Sequence, residues 1–113
     1  MAANLARVLP VGTVGLVDRS TWEIPAIFRL VEELGGVPQA DLERTLNLGV
    51  GMIAVVDSSV ADAAVARLND RGLSSWILGT VQKDDGSYSS NSDYVQGAKG
   101  VDGGAAVLLN QYR

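Results

Sequence analysis

The chain contains no cysteine and no histidine. These absences exclude disulfides, thiolate nucleophiles, imidazole acid–base chemistry and the common zinc sites. Any metal would have to be a hard cation held by carboxylates, and no such ligand set stands out. Aromatics are scarce: Trp22, Phe28, Trp76, Tyr88, Tyr94 and Tyr112 are the full complement, so the core must be built mostly from aliphatic side chains. Basic residues are few and scattered, and the net charge is −4. Phosphate-backbone binding needs a clustered basic face, so nucleic acid is not expected as a partner. No apolar run approaches the ~20 residues of a membrane span, and Met1-Ala2-Ala3-Asn4 lacks the basic start and apolar run of a signal peptide. A soluble, cytoplasmic domain is the expectation.

At 113 residues and 47% apolar composition, one domain with a genuine core is the natural count. Ala2 to Leu9 reads as a short helix, ended by Pro10, with Leu5, Val8 and Leu9 on one side. It begins abruptly, as a fragment of a longer chain would. Val11 to Val17 is a β-branched strand followed by a polar loop, Asp18 to Trp22. Ile27, Leu30, Val31 and Leu34 recur at helical spacing after Pro25, and Gly35-Gly36 closes that helix. Pro38 opens a shorter helix, Gln39 to about Thr45, with Asp41 in its first turn.

Thr45-Leu46-Asn47-Leu48-Gly49-Val50-Gly51-Met52 then runs into Ile53-Ala54-Val55-Val56. Two glycines two apart allow a close backbone approach or a positive φ. Such a turn can offer free amides to an anion, or simply give tight access to a strand, with Asn47 bonded to its own backbone. The apolar run behind it predicts a central strand covered on both faces. Asp57-Ser58-Ser59 caps a helix turning Ala61, Ala64, Val65 and Leu68 inward, closed by Gly72. Ser75 to Val81 is a further strand. Residues 83–103, rich in Gly, Ser, Asp and Asn, read as a long flexible loop. Ala105 to Leu109 reads as a last strand. The expected domain therefore comprises 1–82 plus 104–113. Strands separated by helices predict an α/β (α+β) sandwich with a mixed sheet.

Four blocks in close order carry a resemblance: Arg7 to Thr13 (R-V-L-P-V-G-T), Asp18 to Trp22 (D-R-S-T-W), Ile27 to Leu30 (I-F-R-L) and Arg44 to Met52 (R-T-L-N-L-G-V-G-M). Together they resemble the C-terminal domain of the phosphoribosylformylglycinamidine cyclo-ligase (aminoimidazole ribonucleotide synthetase) family, over roughly Asn4 to Val81. The resemblance implies ATP-dependent ring closure in purine biosynthesis. ATP phosphorylates the formyl oxygen of the substrate, and an amidine nitrogen then displaces phosphate. It also implies a two-domain plan, shared with selenophosphate synthetase and thiamine-monophosphate kinase, in which an N-terminal domain binds ATP and Mg and dimerises. The C-terminal domain closes one side of the substrate groove.

The expectation is therefore a substrate-side domain without its ATP-binding half, inactive alone, with no cofactor of its own. Two departures stand inside the blocks. The family's G-T-G-A-R-I-D is here Gly12 to Asp18 without its arginine, and Leu46 replaces the aromatic ahead of Asn47. The candidate substrate-binding residues are Asn47, Gly49, Gly51, Arg19, Asp18 and Thr13, with Asp18 expected to cap locally and Arg19 to meet an anion. No residue reads as a nucleophile or catalytic base. The alternative is a stand-alone small-ligand-binding or regulatory module. An apolar face left without its partner domain predicts self-association, most simply a homodimer.

Overall fold

The computed structural model describes residues 1–98 and 102–113. Its elements are α1 (Ala2–Val8), β1 (Thr13–Asp18), a single 3-10 turn (Arg19–Thr21), α2 (Ala26–Gly35), α3 (Gln39–Thr45), α4 (Ser58–Asp70), β2 (Gly79–Lys83), β3 (Tyr94–Ala98) and β4 (Asp102–Leu109). The strands form one sheet in the order β2-β1-β4-β3. β1 and β4 run parallel, with Leu16 opposite Val107, and the two outer pairs are antiparallel. The mixed sheet with helices is the α+β architecture anticipated.

β4 is buried from Gly103 through Leu108 because both its faces are covered. Side chains alternate across a strand. Ala106 and Leu108 therefore join Leu5, Ala6, Leu9, Val17, Trp22 and Val50 in one cluster, while Ala105 and Val107 join Val14 in another. α1 provides the lid over the first. It sits unusually close to the sheet: a Cβ on Gly97 would lie 2.5 Å from the Ala6 carbonyl oxygen, and one on Gly103 2.6 Å from it. A third cluster, Ile24, Leu42 and Leu48, packs with Phe28 and Val37 around α2 and α3.

Helix boundaries follow local chemistry. Gly36 (φ 60°) and Gly72 (φ 79°) take the left-handed conformation that ends α2 and α4. The Asp57 carboxylate accepts from the Ser59 amide at 2.8 Å at the start of α4. Pro25 stands just before α2, as its N-cap residue.

The sheet departs from expectation in three places. Ile53–Val56 is not the central strand and joins no strand at all; the centre is β1 and β4. An apolar run marks chain that favours burial, but it does not name a partner, and β4 occupies the place beside β1. The expected loop over 83–103 contains β3 and the start of β4, with residues 99–101 outside the described ones. Thr80 and Val81 do fall in a strand, but Ser75 to Leu78 precede it. In consequence the apolar stripe of α2 is uncovered, with Ile27 60% and Leu34 80% exposed. On α4, Ala61, Ala64 and Val65 are half-buried, and Leu68 is exposed.

Candidate functional site

The C-terminal end of β1 sends Asp18 and Arg19 in different directions, as successive residues of extended chain must. Asp18 stays near the surface. Its Oδ1 accepts from the Asn110 amide at 2.9 Å, from the Ser20 hydroxyl at 2.7 Å and from the Ser20 backbone amide at 2.9 Å. These bonds, Asn110 foremost, hold its carboxyl below the usual carboxylate range and fix the 3-10 turn.

Arg19 turns inward and is 7% exposed. Nε donates to Glu43 Oε1 at 2.6 Å, and Nη2 donates to Glu43 Oε2 at 2.9 Å and Asp93 Oδ2 at 3.0 Å. Nη1 donates to the carbonyls of Leu108 at 3.1 Å and Asn110 at 3.2 Å. A guanidinium has five N–H donors, so Arg19 has none left for an anion. Burial works against its charge, but Glu43 and Asp93 outweigh burial and raise its pKa above the ordinary arginine value.

Glu43 Oε1 also accepts from the Tyr112 hydroxyl at 2.6 Å. Burial alone would raise the Glu43 carboxyl; the bonds from Arg19 and Tyr112 override it and leave the group below its ordinary value. Tyr112 is shifted the other way, first by burial and then by the adjacent carboxylate. Its ring meets Trp22 edge-on at 5.2 Å, and Trp22 Nε1 donates to the Leu48 carbonyl at 3.0 Å. The polar knot is thereby tied to the glycine turn.

In that turn Asn47 Oδ1 accepts from the Gly49 amide at 3.1 Å, and the Asn47 carbonyl from the Val50 amide at 3.1 Å. Leu48 (φ 50°) and Gly49 (φ 104°) are both left-handed. A Cβ on Gly49 would stand 2.8 Å from the Pro25 ring, so this glycine serves packing as well as conformation. Gly51 has open space around it. Asn47 itself is exposed.

Thr13 lies at the opposite end of β1, about 17 Å away at the rise of an extended strand. Its hydroxyl donates to the Pro10 carbonyl at 2.7 Å. It borders an open cleft of about 380 Å³ with Val11, Gly12, Asp84, Gln96 and Gly104. There the Tyr94 hydroxyl donates to Asp84 Oδ2 at 2.8 Å. The structure therefore brings Asp18, Arg19 and the Asn47 turn to one end of the sheet and leaves Thr13 at the other.

Glu43, Asp93 and Tyr112 were not among the sequence candidates. Asp93 reads as a solvated tail carboxylate, and nothing around Glu43 names it as the counter-charge of a residue 24 positions earlier. The usable signal is general: an arginine whose side chain alternates inward at a strand end needs a carboxylate. No three carboxylates converge among the described residues, and Arg19 is saturated. Nor is any described helix long and apolar enough to cross a membrane.

Fold and site define an α+β domain whose buried charges hold chain segments together and leave a glycine turn at the surface. The chain belongs to the family described as AIR synthase related protein, C-terminal domain, which matches residues 1–90. It is 53% identical over 81 residues to a Streptomyces fradiae protein assigned provisionally to phosphoribosylformylglycinamidine cyclo-ligase, covering 72% of this chain and 44% of that one. It is 43% identical over 82 residues to the phosphoribosylformylglycinamidine cyclo-ligase of an Anaeromyxobacter strain, covering 73% and 24%. With the Caldicellulosiruptor bescii enzyme of that name it shares 36% over 80 residues, covering 71% and 24%. The chain thus spans less than half the length of these relatives. No solved structure matches it.

Proposed function

We propose that this chain is the substrate-side domain of a phosphoribosylformylglycinamidine cyclo-ligase, requiring an ATP-binding domain as partner and turning over nothing alone. The observation that carries the reading is the family match over residues 1–90, which contains all four sequence blocks in order. In this role the exposed Asn47 amide, with the backbone at Gly49 and Gly51, faces the substrate groove, and Asp18 shapes its rim. Arg19 supports the groove from beneath through Glu43 and Tyr112 and does not touch substrate. ATP and Mg belong to the partner domain, and the setting is the cytoplasm. A second copy of the chain is a further partner, favoured by the exposed apolar stripe of α2.

An assay of the isolated chain for ATP-dependent ring closure of formylglycinamidine ribonucleotide tests this. No product is expected; robust turnover overturns it. The cleft beside Thr13 supports a second reading, a ligand-binding module without catalysis. Micromolar binding of a nucleotide by calorimetry, lost in Thr13→Val but kept in Asn47→Ala, would favour that reading.

A further inference from the structure

The turn from Asn47 to Gly51 is held from behind. Leu48 is 2% exposed and Val50 7%. Between them Gly49 lies against the Pro25 ring, and the Leu48 carbonyl accepts from Trp22 Nε1 at 3.0 Å. Leu48 is left-handed at φ 50°, a conformation that a residue with a Cβ keeps only where its surroundings impose it. Strain of this kind gathers at functional sites. The turn therefore meets a ligand with its shape already set.

What it offers is narrower than its glycines suggest. A loop that cradles phosphate aims successive backbone amides at the anion. Here the Gly49 amide donates to Asn47 Oδ1 and the Val50 amide to the Asn47 carbonyl, both at 3.1 Å, so two amides are spent inside the turn. The first of these bonds also orients the Asn47 side chain. Its oxygen faces the Gly49 amide, and its Nδ2, a donor of two hydrogens, has no acceptor among the described residues. The Gly51 amide is likewise without a partner among them, at an exposed position. The outward groups are thus neutral donors.

No counter-charge for an anion stands ready. From Thr45 to Val56 there is no charged residue. Arg44, next to the segment, reaches back to Asp41 at 3.7 Å. Every donor of Arg19 is engaged, and Arg113 Nε donates to the Ser20 carbonyl at 2.7 Å. The Met1 ammonium lies in the field of Glu43. A phosphate dianion drawn from water to this turn would lose hydration without gaining an ion pair. An uncharged carbonyl oxygen needs only the donors that are present.

We propose, on the substrate-side reading above, that this turn binds the formylated end of the substrate and not its phosphate. Asn47 Nδ2 and the Gly51 amide donate to an uncharged acyl oxygen, and the phosphate end lies off the turn.

The test is a nuclear magnetic resonance titration of the whole chain with N-formylglycinamide, ribose 5-phosphate and inorganic phosphate in turn. N-formylglycinamide is expected to move the Asn47 side-chain and Gly51 backbone amide signals, with the millimolar constant of so small a ligand. That constant should not change between about 50 and 300 mM salt, because no ion pair is screened. Asn47→Asp keeps an acceptor for the Gly49 amide but replaces the outward donor, and should weaken binding at least about tenfold. Arg44→Gln should leave binding as it is. Either phosphate probe moving the same two signals more tightly than N-formylglycinamide overturns the proposal, as does no movement with any probe. Neither result touches the substrate-side reading, which stands or falls on ring closure with an ATP-binding partner. A chain that binds N-formylglycinamide at Asn47 yet closes no ring with that partner supports the site and overturns the reading. Should Asn47→Asp disturb the Gly49 and Val50 signals, the three probes on the unaltered chain decide.

Discussion

Arg19 and Glu43 are joined by two near-parallel hydrogen bonds of 2.6 and 2.9 Å across a sequence separation of 24 residues. Its other donors reach the Asp93 carboxylate and the carbonyls of Leu108 and Asn110, so one side chain fastens α3, the end of β1 and the C-terminal segment. Removing one partner of such a buried pair strands the other charge, at a cost of about 3–5 kcal/mol. Arg19→Ala is expected to lose stability of that order by urea unfolding. Arg19→Lys should recover little, because an ammonium cannot reproduce the two-pronged geometry. A loss below about 1 kcal/mol, the worth of a surface pair, would show that the knot contributes nothing special.

The same knot sets a pH dependence with two limbs. Glu43 lies below its ordinary value in the folded chain. Its stabilisation is complete above the unfolded value of about 4.3 and is lost as pH falls through the lower folded value. Tyr112 lies above its ordinary value, so its contribution is complete below about 10 and is lost as pH rises through the raised folded value. Urea midpoints across pH are the measurement. Glu43→Gln should shrink the acid limb and Tyr112→Phe the alkaline one. An alkaline limb unchanged in Tyr112→Phe would refute the assignment.

Residues beyond 90 lie outside the family match, yet they supply β3, β4, Asp93 and Tyr112. Deleting 91–113 removes one of the two central strands along with Asp93, Tyr112 and the two carbonyls that Arg19 reaches. The truncated chain is expected to lose cooperative thermal unfolding. A truncation that melts as sharply as the whole chain would mean that these strands are dispensable.

Gly97 faces the backbone of α1 so closely that a methyl group there has no room. Gly97→Ala should push the helix off the sheet and cost about 1–3 kcal/mol, read as a lowered melting temperature. An alanine at exposed Gly51, with nothing within 4 Å of its Cβ, is the matched control and should leave that temperature unchanged.

How much of this was legible varied with the range of the interaction. α3 was readable to the residue because Pro38 and Asp41 act within one turn, and Gly36 and Gly72 announce their own backbone conformation. The sheet was harder. Ile53–Val56 has the composition of a buried strand, whereas Tyr94–Ala98 pairs despite sitting in a polar, glycine-bearing stretch. Which strand lies beside β1 depends on what else the chain can offer it, and local pattern does not encode that competition. The candidate site shows the same division. Asn47 bonding its own turn is a local event, whereas the union of Arg19 with Glu43, Asp93 and Tyr112 depends on the tertiary fold.

The parallel pairing of β1 with β4 also governs when this chain can fold. Synthesis runs from the N-terminus, so β1 (Thr13–Asp18) emerges well before its neighbour β4 (Asp102–Leu109). Until residues 93–110 leave the ribosome, α1 lacks most of its floor and Arg19 lacks three of its partners. Contacts this distant in sequence are slow to close and leave apolar surface open in the meantime. The domain is therefore built to fold only once β4 is out, and β1 needs shielding until then.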